Sequence, residues 1–99
     1  MVAKKNNVYK IQLKEAQLKD GSPAHKTIEF EFENHDGIFN IISKIQDKNI
    51  FGDKDQDVEF ALGIKLFSEV MLRHKEHSLF EELKPAFGQF MKKLKEFNS

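Results

Sequence analysis

Apolar and polar residues alternate in two short stretches near the amino terminus, at residues 9–14 and 27–33. The apolar members are Tyr9, Ile11 and Leu13 in the first stretch and Ile28, Phe30 and Phe32 in the second. In an extended chain, a period of two places all of these side chains on one face of each strand. Both stretches therefore predict half-buried β-strands.

The segment between the two strands contains Asp-Gly-Ser-Pro at 20–23, a sequence that favours a turn. A hairpin centred on this turn brings both apolar sets to one face. The predicted cross-strand pairs are Leu13 with Ile28, Ile11 with Phe30, Tyr9 with Phe32, and Lys10 with Glu31 on the wet face. Residues 15–19 interrupt the alternation, so a bulge or a register shifted by two is left open.

Helical spacing begins after the second strand. Isoleucines at 38, 41, 42 and 45 predict a first helix. A second helix from about 55 to 74 is apolar on most sides, so we expect its neighbours to cover it. Its predicted polar strip is narrow and consists of Lys65, Ser68 and Glu69.

The last helical region contains a proline. Ser78 and Glu81 have the spacing of a capping box, in which Ser78 bonds forward and Glu81 bonds back. Because Pro85 disfavours helical geometry at the residue before it, we expect a short turn at 79–83 and a separate or kinked helix from Pro85.

The order β-β-α-α-α predicts an α+β fold, with the hairpin resting on three helices. We expect residues 1–7 to form a flexible arm and residues 8–98 to form a single domain. A two-stranded sheet has open edges, and pairing with a second copy would close them. We therefore expect a homodimer.

Charge and composition narrow the class of protein. The 99 residues carry sixteen basic and sixteen acidic side chains, and Arg73 is the single arginine. This balance argues against a nucleic-acid partner, and weak binding through Lys92, Lys93 and Lys95 ranks third among the functions considered. The chain has no cysteine and no apolar run long enough for a secretory signal or a membrane span. We expect a cytoplasmic protein without a membrane partner.

Three aspartates at 53, 55 and 57 resemble the start of a calcium-binding loop. The rest of that loop does not match, because Val58 stands where the loop needs glycine and Ile64 where it needs glutamate. Acidic capping of the following helix is the favoured interpretation.

Histidines offer the remaining site chemistry. His74 and His77 are three residues apart and Glu81 follows a turn later, which makes them weak candidates for a metal site, although the neighbouring basic residues repel a cation. His35, beside Asp36, is the best candidate for acid–base chemistry, but a loop role is favoured. A small-ligand or metal binder that uses His35, His74 and His77 is the alternative function.

No constellation of residues argues for an enzyme, and no cofactor is expected. The ten phenylalanines suit a compact core. Phe87, Phe90 and Phe97 form a stripe on the last helix that we predict to be an interaction surface. The favoured function is a small, self-associating protein-interaction module without catalytic activity. An unidentified protein is considered as a further partner.

The chain resembles a family of short bacterial proteins catalogued only as a domain of unknown function. The resemblance covers nearly the whole chain and is carried by Phe30–Asp36, Phe60–Leu72 and Phe80–Leu94, the last with Lys-Pro-Ala-Phe-Gly-Gln-Phe at 84–90. It implies a bacterial, cytosolic origin. It brings no activity, cofactor or functional residue.

Overall fold

A computed structural model describes residues 6–97. The chain divides into two compact units, one up to Gly37 and one from Ile38 onward. The elements are β1 (Asn7–Lys14), β2 (Thr27–Asn34), α1 (Ile38–Lys48), α2 (Lys54–Arg73), a 3₁₀ turn (Ser78–Phe80) and α3 (Leu83–Glu96). This order confirms the predicted α+β fold with a hairpin followed by three helices.

The domain boundaries stay predictions. Residues 1–5 of the expected arm lie outside the described residues, while Asn7 already belongs to β1. We describe the hairpin unit and the helical unit each by itself.

The hairpin unit has the predicted register. Leu13 pairs with Ile28, Ile11 with Phe30, Tyr9 with Phe32 and Lys10 with Glu31. The ladder continues past the strand ends, because the Glu15 N–H donates to the Lys26 carbonyl at 2.9 Å. Neither a bulge nor a shifted register occurs between the paired strands. The ammonium of Lys10, however, contacts the diagonal Glu29 at 2.9 Å.

The tip of the hairpin is organised by one carboxylate. Asp20 Oδ1 accepts hydrogen bonds from the Ser22 hydroxyl at 2.7 Å and from the Ser22 N–H at 3.0 Å. These bonds favour the charged form, so the pKa of Asp20 lies below its ordinary value. Gly21 follows with a φ of 77°, which a side chain would strain.

In the helical unit, α1 ends where Asn49 adopts a φ of 50°, a left-handed conformation that often terminates helices. Asp53 then caps α2, since its Oδ1 accepts from the N–H groups of Asp55 and Gln56. The predicted acidic start of the central helix is thereby confirmed.

The burial of α2 differs from the sequence prediction. Its buried residues are Asp57, Ala61, Ser68 and Met71, whereas Phe67, Val70 and Leu72 remain exposed. Ser68, which we expected in the polar strip, is buried, and its hydroxyl is satisfied by donating to the Lys65 carbonyl 3.5 Å away. The expectation that neighbours cover the apolar sides of α2 is therefore wrong for part of the helix.

The connection to α3 also needs a correction. The cap of the 3₁₀ turn is His77, whose Nδ1 accepts from the Leu79 N–H at 3.0 Å, and not Ser78 as predicted. Pro85 lies within the first turn of a separate α3, where its missing N–H would have no helical partner in any case. The predicted short turn and separate last helix are therefore confirmed, and α3 begins at Leu83, two residues before the predicted start.

Phenylalanine rings join α3 to the rest of the helical unit. The ring centroids of Phe60 and Phe90 are 6.3 Å apart, and those of Phe67 and Phe87 are 5.8 Å apart, both in edge-to-face geometry. Phe51 extends this series through Phe60. No residue of α3 is fully buried. The core of the unit consists instead of Ile38, Ile45, Ala61, Met71 and Phe80.

Candidate functional site

The hairpin unit exposes the half of its apolar face that lies toward the Asp20-Gly21 turn. Leu13 is 66% exposed, Ile28 58% and Phe30 44%. Strand alternation and the observed register place these three side chains on one face. Among the described residues of the unit, no apolar side chain is fully buried. An exposed apolar cluster of this kind often marks a site of interaction. We call Leu13, Ile28 and Phe30 the hairpin face.

The opposite, wet face of the hairpin is charged and differs between its strands. Glutamates occupy three alternate positions of β2, whereas β1 carries two lysines and no acidic residue. The residues concerned are Lys10 and Lys14 on β1 and Glu29, Glu31 and Glu33 on β2. Each edge of the sheet therefore has one sign of charge beside it.

The predicted phenylalanine stripe has two roles in the structure. Phe87 is half-buried and Phe90 packs against Phe60, so both rings hold α3 in place. Phe90 and Phe97 nevertheless keep an exposed surface. Their part in association stays a prediction.

The histidines are spread over both units. His35 lies in the hairpin unit with its Nε2 3.3 Å from Asp36 Oδ1. In the helical unit, His74 ends α2, and Glu81 is exposed after the 3₁₀ turn. Because His77 Nδ1 accepts a backbone N–H, its ring proton belongs on Nε2.

The aspartates at 53, 55 and 57, at the start of α2, differ in their environments. Asp53 caps the helix, Asp55 is exposed and Asp57 is only 1% exposed. Within residues 6–97, no group of three or more acidic or histidine side chains is close enough to hold a metal ion. No described helix is long and apolar enough to cross a membrane.

The helical unit contains a feature that the sequence analysis missed. A groove of about 520 Å³ has an aliphatic floor and a rim of lysines. Its floor consists of Ile41, Ile45, Ala61, Ile64, Met91 and Leu94, and its rim of Lys44, Lys48, Lys65, Lys92 and Lys95. We call it the lysine groove.

No periodicity could have revealed this groove, because its lysines come from three different helices. Lys92 and Lys95 were expected on the outer face of α3. They are exposed, and they also line the groove with Lys44 of α1. Helix spacing fixes the position of each lysine on its own helix, but the packing of the helices brings the lysines together.

Comparison with known proteins agrees with the resemblance seen in the sequence. A crystal structure of a protein of unknown function from Pectobacterium atrosepticum aligns with a TM-score of 0.79 at 34% identity, covering 92% of this chain and 98% of that chain. No curated protein matches. The family model DUF3861, described as a domain of unknown function with a solved structure, matches residues 7–96. The chain therefore belongs to the DUF3861 family.

Proposed function

We propose that this protein is a self-associating interaction module whose hairpin face binds the same face of a second copy. The observation that carries the proposal is the exposure of Leu13, Ile28 and Phe30 on one side of a two-stranded sheet. A hairpin alone is marginally stable in water, and covering an apolar face stabilises it.

Charge favours contact between faces over contact between edges. Pairing two β2 edges would set Glu29, Glu31 and Glu33 beside their own copies, and like charges in register destabilise a sheet. Joining β1 of one copy to β2 of another matches the charges, but this head-to-tail contact leaves an open edge at each end. Packing of two apolar faces is self-complementary and keeps all the glutamates in water.

The size of the hairpin face predicts a weak dimer. Strands of eight residues are about 27 Å long, and two of them span about 10 Å, so the whole apolar side of the sheet covers about 270 Å², which is an upper limit for the hairpin face. Two such faces total about 540 Å², well below the 1,200 Å² or more of stable complexes. A dissociation constant above about 1 µM is therefore expected.

The phenylalanine stripe of α3 is the competing surface. Phe90 and Phe97 are partly exposed, but Phe87 and Phe90 already make ring contacts within the helical unit. The hairpin face is favoured because its three side chains keep more of their surface in water.

A matched pair of substitutions tests the proposal. Ile28 on the hairpin face is 58% exposed, and Val8 on the wet face of the same sheet is 59% exposed. Both are β-branched strand residues. Ile28→Lys should abolish association in sedimentation velocity experiments, because it buries a charge at the contact. Val8→Lys should leave association unchanged.

Three results would overturn this assignment. Equal dimerisation by both variants, with circular dichroism showing intact folds, would exclude the hairpin face. Dissociation by Phe97→Ala alone would move the contact to the phenylalanine stripe. A strictly monomeric unmodified protein that binds a different protein through Ile28 would replace the second copy with that partner.

A further inference from the structure

The lysine groove combines an aliphatic floor with a basic rim. Among its eleven lining residues, every polar side chain is a lysine and none is acidic, although the whole chain has equal numbers of acids and bases. The apolar floor excludes a purely polar ligand, and the rim favours an anion.

The floor is aliphatic throughout. It contains isoleucine, alanine, methionine and leucine side chains, and no aromatic ring lines it. Ile45 and Ala61 are buried, whereas Ile41, Ile64, Met91 and Leu94 are half-buried. Contact with an aliphatic chain would remove the remaining exposed surface of these side chains from water, which is favourable.

The rim lysines differ in their existing partners. Lys48 Nζ donates to the carbonyls of Lys95 and Phe97, so its charge supports the end of α3. Within the described part of the chain, Lys44, Lys92 and Lys95 have no carboxylate at ion-pairing distance. Their stems extend the apolar wall while their ammonium groups stay in water. These three lysines supply the charge that an anion would meet.

From this we propose that the lysine groove binds a single-chain aliphatic carboxylate, with the chain on the isoleucine and methionine floor and the carboxylate between Lys44, Lys92 and Lys95. Its volume of about 520 Å³ lies within the range of small-molecule sites, about 300–1,000 Å³.

The first experiment is calorimetric titration of the full chain with dodecanoate below its micelle concentration. Dodecyltrimethylammonium matches its chain with the opposite charge, and acetate matches its charge without the chain. Dodecanoate alone should bind, and its affinity should fall as salt is raised.

The variants locate the site. Lys92→Glu should weaken dodecanoate binding about tenfold, because it reverses a charge at the rim. Lys84→Glu makes the same charge change on α3 outside the groove and should have no effect. Methyl signals of Met91 and Ile64 should show contacts with the ligand chain in nuclear magnetic resonance spectra.

The outcomes separate this inference from the proposed dimer. Ile28→Lys should bind dodecanoate like the unmodified protein, since the groove lies wholly within the helical unit. Equal binding of the cationic amphiphile, equal weakening by Lys84→Glu, or no binding of dodecanoate would overturn the assignment. Tighter displacement of dodecanoate by an acidic amphipathic peptide would assign the groove to a protein partner.

Discussion

The hairpin face and the lysine groove both leave apolar side chains in water, but they differ in shape and in charge. The hairpin face lies on one side of a two-stranded sheet whose charges lie on the opposite side. The groove is concave and its lysines stand at its own rim. An apolar face without charges of its own suits another apolar face, whereas a concave site with convergent charge suits a small ligand. Exposure alone therefore does not identify the partner.

Replacing an isoleucine by alanine in each region should give the largest difference in the free energy of unfolding. Ile45, under the groove, is 6% exposed, so Ile45→Ala should lower the free energy of unfolding by about 2–5 kcal/mol. Ile28→Ala should cost less than about 1 kcal/mol in dilute monomer, because Ile28 is mostly exposed. Urea denaturation measures both values. Equal costs would mean that the hairpin face is covered within the molecule.

Phe87→Leu should give the next largest effect. It removes the ring contacts of Phe87 with Phe67 and Phe90 while keeping an apolar side chain, and such contacts are worth about 0.5–1.5 kcal/mol each. The free energy of unfolding should fall by about 1–3 kcal/mol, and association should not change. Dissociation of the dimer with little loss of stability would instead support the phenylalanine stripe.

Glycine-to-alanine substitutions should change the stability of the protein in opposite directions in the two regions. Gly63 lies inside α2 with open space where the methyl group of an alanine would lie, so Gly63→Ala should stabilise the protein by up to about 1 kcal/mol. Gly21 has a φ of 77° in the hairpin tip, so Gly21→Ala should destabilise by about 1–2 kcal/mol. Thermal denaturation distinguishes them, and a shared sign would contradict the local geometry.

The smallest effect concerns pH at the hairpin tip. The Ser22 hydroxyl and N–H hold the pKa of Asp20 below 3.8, so the charged carboxylate stabilises the folded tip above pH 3.8. This contribution should fade as pH falls through the lower folded pKa. The amide shift of Ser22 should report the transition, and Asp20→Asn should remove it. A midpoint at or above 3.8 would contradict the two hydrogen bonds.

Local rules predicted most of the fold. The odd and even positions of Tyr9 through Leu13 and of Ile28 through Phe32 allow the observed register around Asp20-Gly21. Asp53 caps the start of α2, where the sequence predicted acidic capping. These features depend on neighbouring residues, and sequence periodicity reports them directly.

Tertiary packing decided the remainder. Ser68 is polar in sequence but buried in α2. The cap at His77 is a local contact with Leu79, but the Ser-x-x-Glu spacing pointed to Ser78 instead. The lysine groove depends on how α1, α2 and α3 are rotated about their axes, which no single helix encodes. The alternation of apolar and polar residues predicted which side chains form the hairpin face, but it did not predict that they would be exposed.

Sedimentation velocity of the unmodified protein over a range from about 1 µM to about 1 mM tests self-association most directly. The account predicts a reversible rise in mean mass from one chain of 11.6 kDa toward twice that value as concentration increases. A mass that stays at one chain throughout, in a sample whose amide spectra show the paired strands, would contradict it.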